Sequence, residues 1–172
     1  MGIYNFRHQF VAYVEDGSKL HTIRAPRMRN GELAMDEPGD ICHLYAGLRQ
    51  KGPRLLRRSH CTKLETITIA EAGDVHVGPW INVIAVGPRI FKDPEHYGLA
   101  LLSPDERDLL AWRDGFRPAG TSESSPAPAF DLFFRYWRMG QRSARGSEAL
   151  LPFAGYIIHW SPANLMAKGR AA

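Results

Sequence analysis

Apolar residues recur in this chain with two periods, and the alternation between them outlines the fold. From Phe6 to Asp16, Phe10, Val11 and Val14 share one helical face, and Gly17 is placed to stop the helix. KLHTIRA (19–25) then reads as a short strand. Residues 26–39 read as a loop by their Pro, Gly and polar content. DICHLYAG (40–47) predicts a second strand closed by Gly47, and a basic loop follows. HCTKLETITIA (60–70), rich in Thr and Ile, predicts a third. The stretch 75–92 predicts one or two more strands, INVIAVG among them, broken at Gly78-Pro79 and Gly87-Pro88.

The strongest helix start is Ser103-Pro104-Asp105-Glu106: a serine cap, proline in the first turn and a glutamate three residues after the cap. That helix runs through Leu109, Leu110 and Trp112 to Gly115. Residues 117–129 read as a mobile loop. Phe130, Phe133, Phe134 and Trp137 then fall on one helical face and predict core, while Arg135, Arg138, Arg142 and Arg145 follow another. FAGYIIHW (153–160) reads as the closing strand. Several strands with two or three helices and no βαβ alternation predict an α+β fold with a small mixed β-barrel and flanking helices, in one domain over 1–172.

Charge sharpens the picture. The net charge is +4, yet residues 17–64 alone carry +6, with ten Lys or Arg against four acids. No carboxylate occurs between Ile41 and Leu64. Clustered positive charge suits a phosphate-bearing partner, or is a solvated surface with none. No apolar run reaches the length of a membrane span, and no charged, apolar leader opens the chain, so a soluble cytoplasmic protein is expected. Cys42 and Cys61, the only cysteines, read as reduced thiols. Cys42-His43 and His60-Cys61 offer only one ligand of each pair per strand face, so no metal site is expected, and no cofactor.

Four segments in order resemble the ASCH family, a branch of the PUA-like β-barrels that handle RNA or nucleosides. GSKLHTIR (17–24) matches the family's G-x-K-x-x-T-x-R. PGDICHLYAGLRQK (38–51) matches its Gly-Asp turn, strand ending in Tyr, then Gly, Arg and Lys. AWRDGF (111–116) with FDLFFRYW, and PFAGYIIHW (152–160), complete the set. The resemblance implies a PUA-like barrel of about six strands, with a cleft lined by the first two motifs.

The resemblance implies two chemistries. Some ASCH relatives are amidohydrolases that deacetylate acetylcytidine. Carried over, Thr22 is the nucleophile, Lys19 its activator and Asp114 the general base, where that activity's pattern has a glutamate. Thr22 and Arg24 share a strand face, and Lys19 joins them only if it belongs to the preceding turn. Other relatives are single-strand ribonucleases in which the equivalents of Tyr45 and Lys51 are implicated. Tyr45, Lys51, Lys19 and Arg24 then supply proton transfer and charge without a metal, and Arg49, Arg54, Arg57, Arg58 and His43 hold RNA. His43 shares a face with Tyr45 and titrates in a range suited to proton transfer. Ser161 is a candidate for the cleft rim. The candidate functions are therefore an RNA-binding domain that cleaves single strands, a nucleoside amidohydrolase, and a nucleic-acid-binding regulator without catalysis. The partners are single-stranded RNA or a nucleoside.

Overall fold

The computed structural model describes residues 2–140 and 152–165, and the fold is α+β. Arg142 and Arg145 lie outside the described residues. The chain forms two compact units: Met1–Thr22, Arg27–Leu64 and Ile158–Ala172 make the first, Ile23–Pro26 and Glu65–Ile157 the second.

The chain opens with a strand, β1 (Gly2–Phe6), where the hydrophobic pattern gives only the approach to a helix. Tyr4 and Phe6 are buried and Ile3 and Asn5 exposed, the alternation of a half-buried strand. Helix α1 (His8–Glu15) follows, burying Phe10, Val11 and Val14 as its periodicity predicts. Gly17 at φ +80° turns the chain out of the helix, and the Lys19 N–H donates to Tyr13 O at 2.8 Å. Strand β2 (His21–Arg24) comes next.

Residues 26–39 contain a small hairpin, β3 (Met28–Arg29) and β4 (Glu32–Leu33). Its turn is Asn30-Gly31, with φ of +53° and +82°, the positive pair that matches strand twist. Strand β5 (Ile41–Ala46) runs parallel to β1 and antiparallel to β6 (Arg54–Ile69). The basic segment expected as a loop is thus the first part of a 16-residue strand. Two paired neighbours, β5 and then β7 (Val75–Pro79), hold β6 extended along that length.

INVIAVG is not a strand. The Asn82 side chain accepts from the N–H groups of Ile84 and Ala85, both at 3.2 Å, and starts the short helix α2 (Val83–Val86). A 3-10 turn over Gly87–Phe91 follows, with Pro88 in its first turn. The Tyr156 hydroxyl accepts from Val83 N–H at 3.2 Å and donates to Ile81 O at 3.0 Å, pinning this segment. Strand β8 (Ala100–Leu101) pairs with β7.

Helix α3 (Pro104–Arg113) carries the full capping box: Ser103 Oγ accepts Glu106 N–H, and the Glu106 carboxylate accepts Ser103 N–H at 2.8 Å. Helix α4 (Ala129–Gly140) packs on α3, and Asp108 of α3 accepts Phe130 N–H at 2.7 Å. Phe133 is fully buried, edge-on to Phe116 at 5.3 Å, and Trp137 lies 4.5 Å from Phe153. Residues 117–129 are a run of turns, with Arg113 paired to Glu123 at 2.7 Å. Strand β9 (Phe153–Trp160) pairs with β2 and β6, and seven strands form one mixed sheet among the described residues. Among them, no helix is long and apolar enough to cross a membrane.

Candidate nucleic-acid interface

Strand β5 sorts the candidate residues of the first unit onto two faces. Cys42 and Leu44 are fully buried, while Ile41, His43 and Tyr45 alternate with them toward the open side. The β1 partners agree: Ile3 lies beside His43 and Asn5 beside Tyr45, both exposed. Across the antiparallel ladder His43 faces Arg58, which is exposed. Burial, then the Arg58 charge, lowers the His43 pKa from its ordinary 6.5, so the imidazole is mainly neutral at pH 7. Tyr45 is half-buried. Beyond it the turn at Gly47, closed by Gln50 N–H on Gly47 O at 2.8 Å, leads to exposed Arg49 and Lys51.

Arg57 and Arg58, adjacent in sequence, part company. The register slips at Leu44/Tyr45: Leu44 faces Arg57, yet Tyr45 faces Leu55, which leaves Leu56 as an extra residue on β6. Such a bulge lets consecutive side chains point the same way, and Leu56 and Arg57 are both buried. Arg57 is only 3% exposed. It belongs to the inward face with Leu44, not to the open basic surface where strand or loop reasoning puts it. Burial lowers its pKa and the charge of Asp16 opposes that shift. Arg54 is exposed and held by Glu15 at 2.8 Å, a solvent-screened pair of small energetic weight.

Lys19 and Thr22 lie inside, 1% and 4% exposed. Lys19 precedes β2, in the turn, so strand alternation does not force it away from Thr22. Its Nζ sits 5.1 Å from the Phe10 ring centre and 5.9 Å from that of Phe6, and its carbonyl accepts Trp160 Nε1–H at 3.0 Å. Next to Thr22, the His21 ring lies 5.3 Å from that of His159. Phe6 and Tyr45 leave the β1–β5 ladder on opposite faces. Lys19, near the Phe6 ring, and Tyr45 therefore lie toward opposite faces of this ladder. Arg24, half-buried at the end of β2, and Asp114, buried as the C-cap of α3, belong to the second unit.

Ser161 follows β9, and its hydroxyl accepts Ala163 N–H at 3.1 Å, a local turn that engages the side chain. Its carbonyl accepts from Ser59 Oγ, which ties the strand exit to β6. The cysteines come together on the inward face. Cys42 and Cys61 share a hydrogen bond that raises the Cys42 pKa and lowers that of Cys61. Asp36, 3% exposed, accepts from the Tyr4 hydroxyl beside them; burial and then Asp36 raise the Tyr4 pKa. Sequence reasoning missed this cluster because Tyr4 stands on a strand it did not find. Among the described residues, no group of three or more His, Cys, Asp or Glu is arranged to hold a metal ion.

Compared with protein-family models, curated proteins and solved structures, the chain has no match.

Proposed function

We propose that this chain is a PUA-like domain of the ASCH family that binds single-stranded RNA across the open face of β5 and β6, and cleaves it without a metal. The observation that carries the reading is the grouping of Tyr45, His43 and Arg58 on one open face, within a run from Ile41 to Leu64 that contains no carboxylate. Tyr45 offers a ring on which a base stacks and a hydroxyl. Arg58, with Arg49 and Lys51 beyond the strand, meets phosphate oxygens. A neutral imidazole can take the proton of a ribose 2′-hydroxyl as it attacks the adjacent phosphorus; the P–O5′ bond breaks to leave a 2′,3′-cyclic phosphate, the Tyr45 hydroxyl can protonate the departing 5′ oxygen, and a cation offsets the charge that develops on the phosphate. The six-stranded PUA-like barrel is part of this proposal, supported by the order of α1, β2, β5, the capped α3 and the closing β9.

One observation favours a second reading. Lys19 is almost wholly withdrawn from water, and Thr22, three residues later, is buried as well; a desolvated lysine is the kind that acts as a base toward a hydroxyl. That supports an amidohydrolase acting on acetylcytidine. Purified protein assayed against an RNA oligomer and acetylcytidine separates the two. The RNA reading expects Tyr45→Phe and Lys51→Ala to lose roughly 10²–10⁴-fold of cleavage while Thr22→Ala keeps most of it. The amidohydrolase reading expects Thr22→Ala and Lys19→Ala to be the inactive pair. Binding of RNA with neither substrate processed leaves a non-catalytic regulator.

A further inference from the structure

Arg57 poses a problem that neither reading uses. A guanidinium withdrawn from water needs a partner, because burying an unpaired charge is among the costliest things a fold can do. Arg57 is 97% withdrawn, the complement of its 3% exposure. Its Nε–H is sealed from solvent and meets no acceptor. Asp16 acts on it only through its charge. The Asp16 carboxylate is turned to its own loop instead, accepting Ser18 N–H at 2.7 Å.

The terminal nitrogens lie against the turn after α1. A Cβ built on Gly17 would stand 2.6 Å from Nη1 and 3.2 Å from Nη2, so a side chain there would require the guanidinium to shift. This turn lies at the surface, since Asp16 and Ser18 on either side of Gly17 are exposed. The fold has therefore placed a forked, permanently charged donor just beneath the surface, facing a residue with no side chain. No carboxylate lies within the 41–64 run that carries Arg57.

We propose that Arg57 and the Gly17 turn form an anion subsite that takes one phosphate monoester group. Guanidinium and phosphate match as a planar fork meeting two oxygens. A compact terminal group needs only one point of approach beside an exposed turn, whereas a phosphodiester flanked by two nucleosides needs a groove. The group comes either from a small phosphorylated molecule or from the phosphorylated end of a strand. This subsite stands apart from the open RNA face, because Arg57 and His43 occupy opposite faces of the β5–β6 ladder.

The test is thermal unfolding of the whole chain with and without inorganic phosphate, for wild type, Arg57→Met, Asp16→Asn and, as a control outside the subsite, Arg89→Ala. Without phosphate, Arg57→Met is expected to melt no lower than wild type, because it removes a buried charge whose Nε–H lacks an acceptor. Phosphate raises the melting temperature of wild type and Arg89→Ala, leaves Arg57→Met unmoved, and shifts Asp16→Asn more because an opposing charge is gone. Loss of Arg57 weakens binding about tenfold or more. If Arg57→Met does not fold, the Arg57 Nε–H resonance of wild type, displaced saturably by phosphate, reads the same event. Short RNA with a 5′-phosphate, compared with its 5′-hydroxyl counterpart, identifies the source. Preference for the phosphorylated strand assigns the site to a strand end, and equal affinity assigns it to a small molecule. No phosphate-dependent shift in wild type, or a full shift in Arg57→Met, overturns the proposal. RNA that still binds in that case leaves the open-face reading intact.

Discussion

Replacing Gly17 with alanine tests the geometry of the buried arginine without any ligand. Two costs are expected. The residue sits at φ +80°, where a Cβ crowds the following carbonyl, a penalty of roughly 1–2 kcal/mol. The new methyl would also meet Nη1 of Arg57 at 2.6 Å, so the guanidinium must move within a packed setting, at about 1–3 kcal/mol. Together they amount to about 2–5 kcal/mol, a large part of the stability of an ordinary domain. In an Arg57→Met background the second cost falls, because the longest donor arm is gone, and only the backbone penalty of roughly 1–2 kcal/mol remains. Urea unfolding of the four proteins closes the cycle, with coupling of about 1–3 kcal/mol between positions 17 and 57. Single effects that add to within about 0.5 kcal/mol would refute the close approach, and with it the reason for glycine at this turn.

Three further outcomes follow from the described contacts. The His43 pKa, read by NMR titration, should lie below 6.5 and rise when Arg58→Gln removes the neighbouring charge; bound RNA should raise it as well. The unfolded chain takes this proton first as pH falls, so His43 contributes a stability that is present above pH 6.5 and declines below it. Ser103→Ala should cost about 1 kcal/mol in urea unfolding by removing the cap of α3. Tyr156→Phe should cost roughly 1–3 kcal/mol, because the buried Val83 N–H loses its acceptor.

The parts legible in the sequence are those that local chemistry fixes. The α1 face, the stop at Gly17, the capping box at Ser103 and the aromatic stripe of α4 each depend on residues within one or two turns. The α+β class follows from their order. Non-local causes produced the rest. Strand β1 is five residues long and is held by pairing with β5, about forty positions later. The basic run 54–59 reads as loop because its polar residues hide the pleat; pairing with β5 makes it strand. Asn30-Gly31 did carry a local hairpin signal, masked by the polar residues around it. INVIAVG has the composition of a strand, but Asn82 caps it and Tyr156 holds it as a helix.

Among the candidate residues, the alternation that puts His43 with Tyr45 was readable from position alone. The separation of Arg57 from Arg58 was not. It depends on a bulge, and a one-residue slip changes which side chain a strand buries. The burial of Lys19 likewise comes from α1 and β9, through Phe10 and Trp160, and no motif spacing contains it.

Binding of a fluorescent single-stranded RNA oligomer across a salt series, with wild type and Arg58→Gln, tests the central claim most directly. Phosphate contacts release counterions, so affinity should fall with salt at a log–log slope of about −0.7 for each contact. Arg58→Gln should weaken binding to every sequence tried and reduce the slope by about 0.7, the loss of one contact on the open face. An affinity indifferent to salt, or an Arg58→Gln protein that binds as wild type does, would contradict the assignment of that face to RNA.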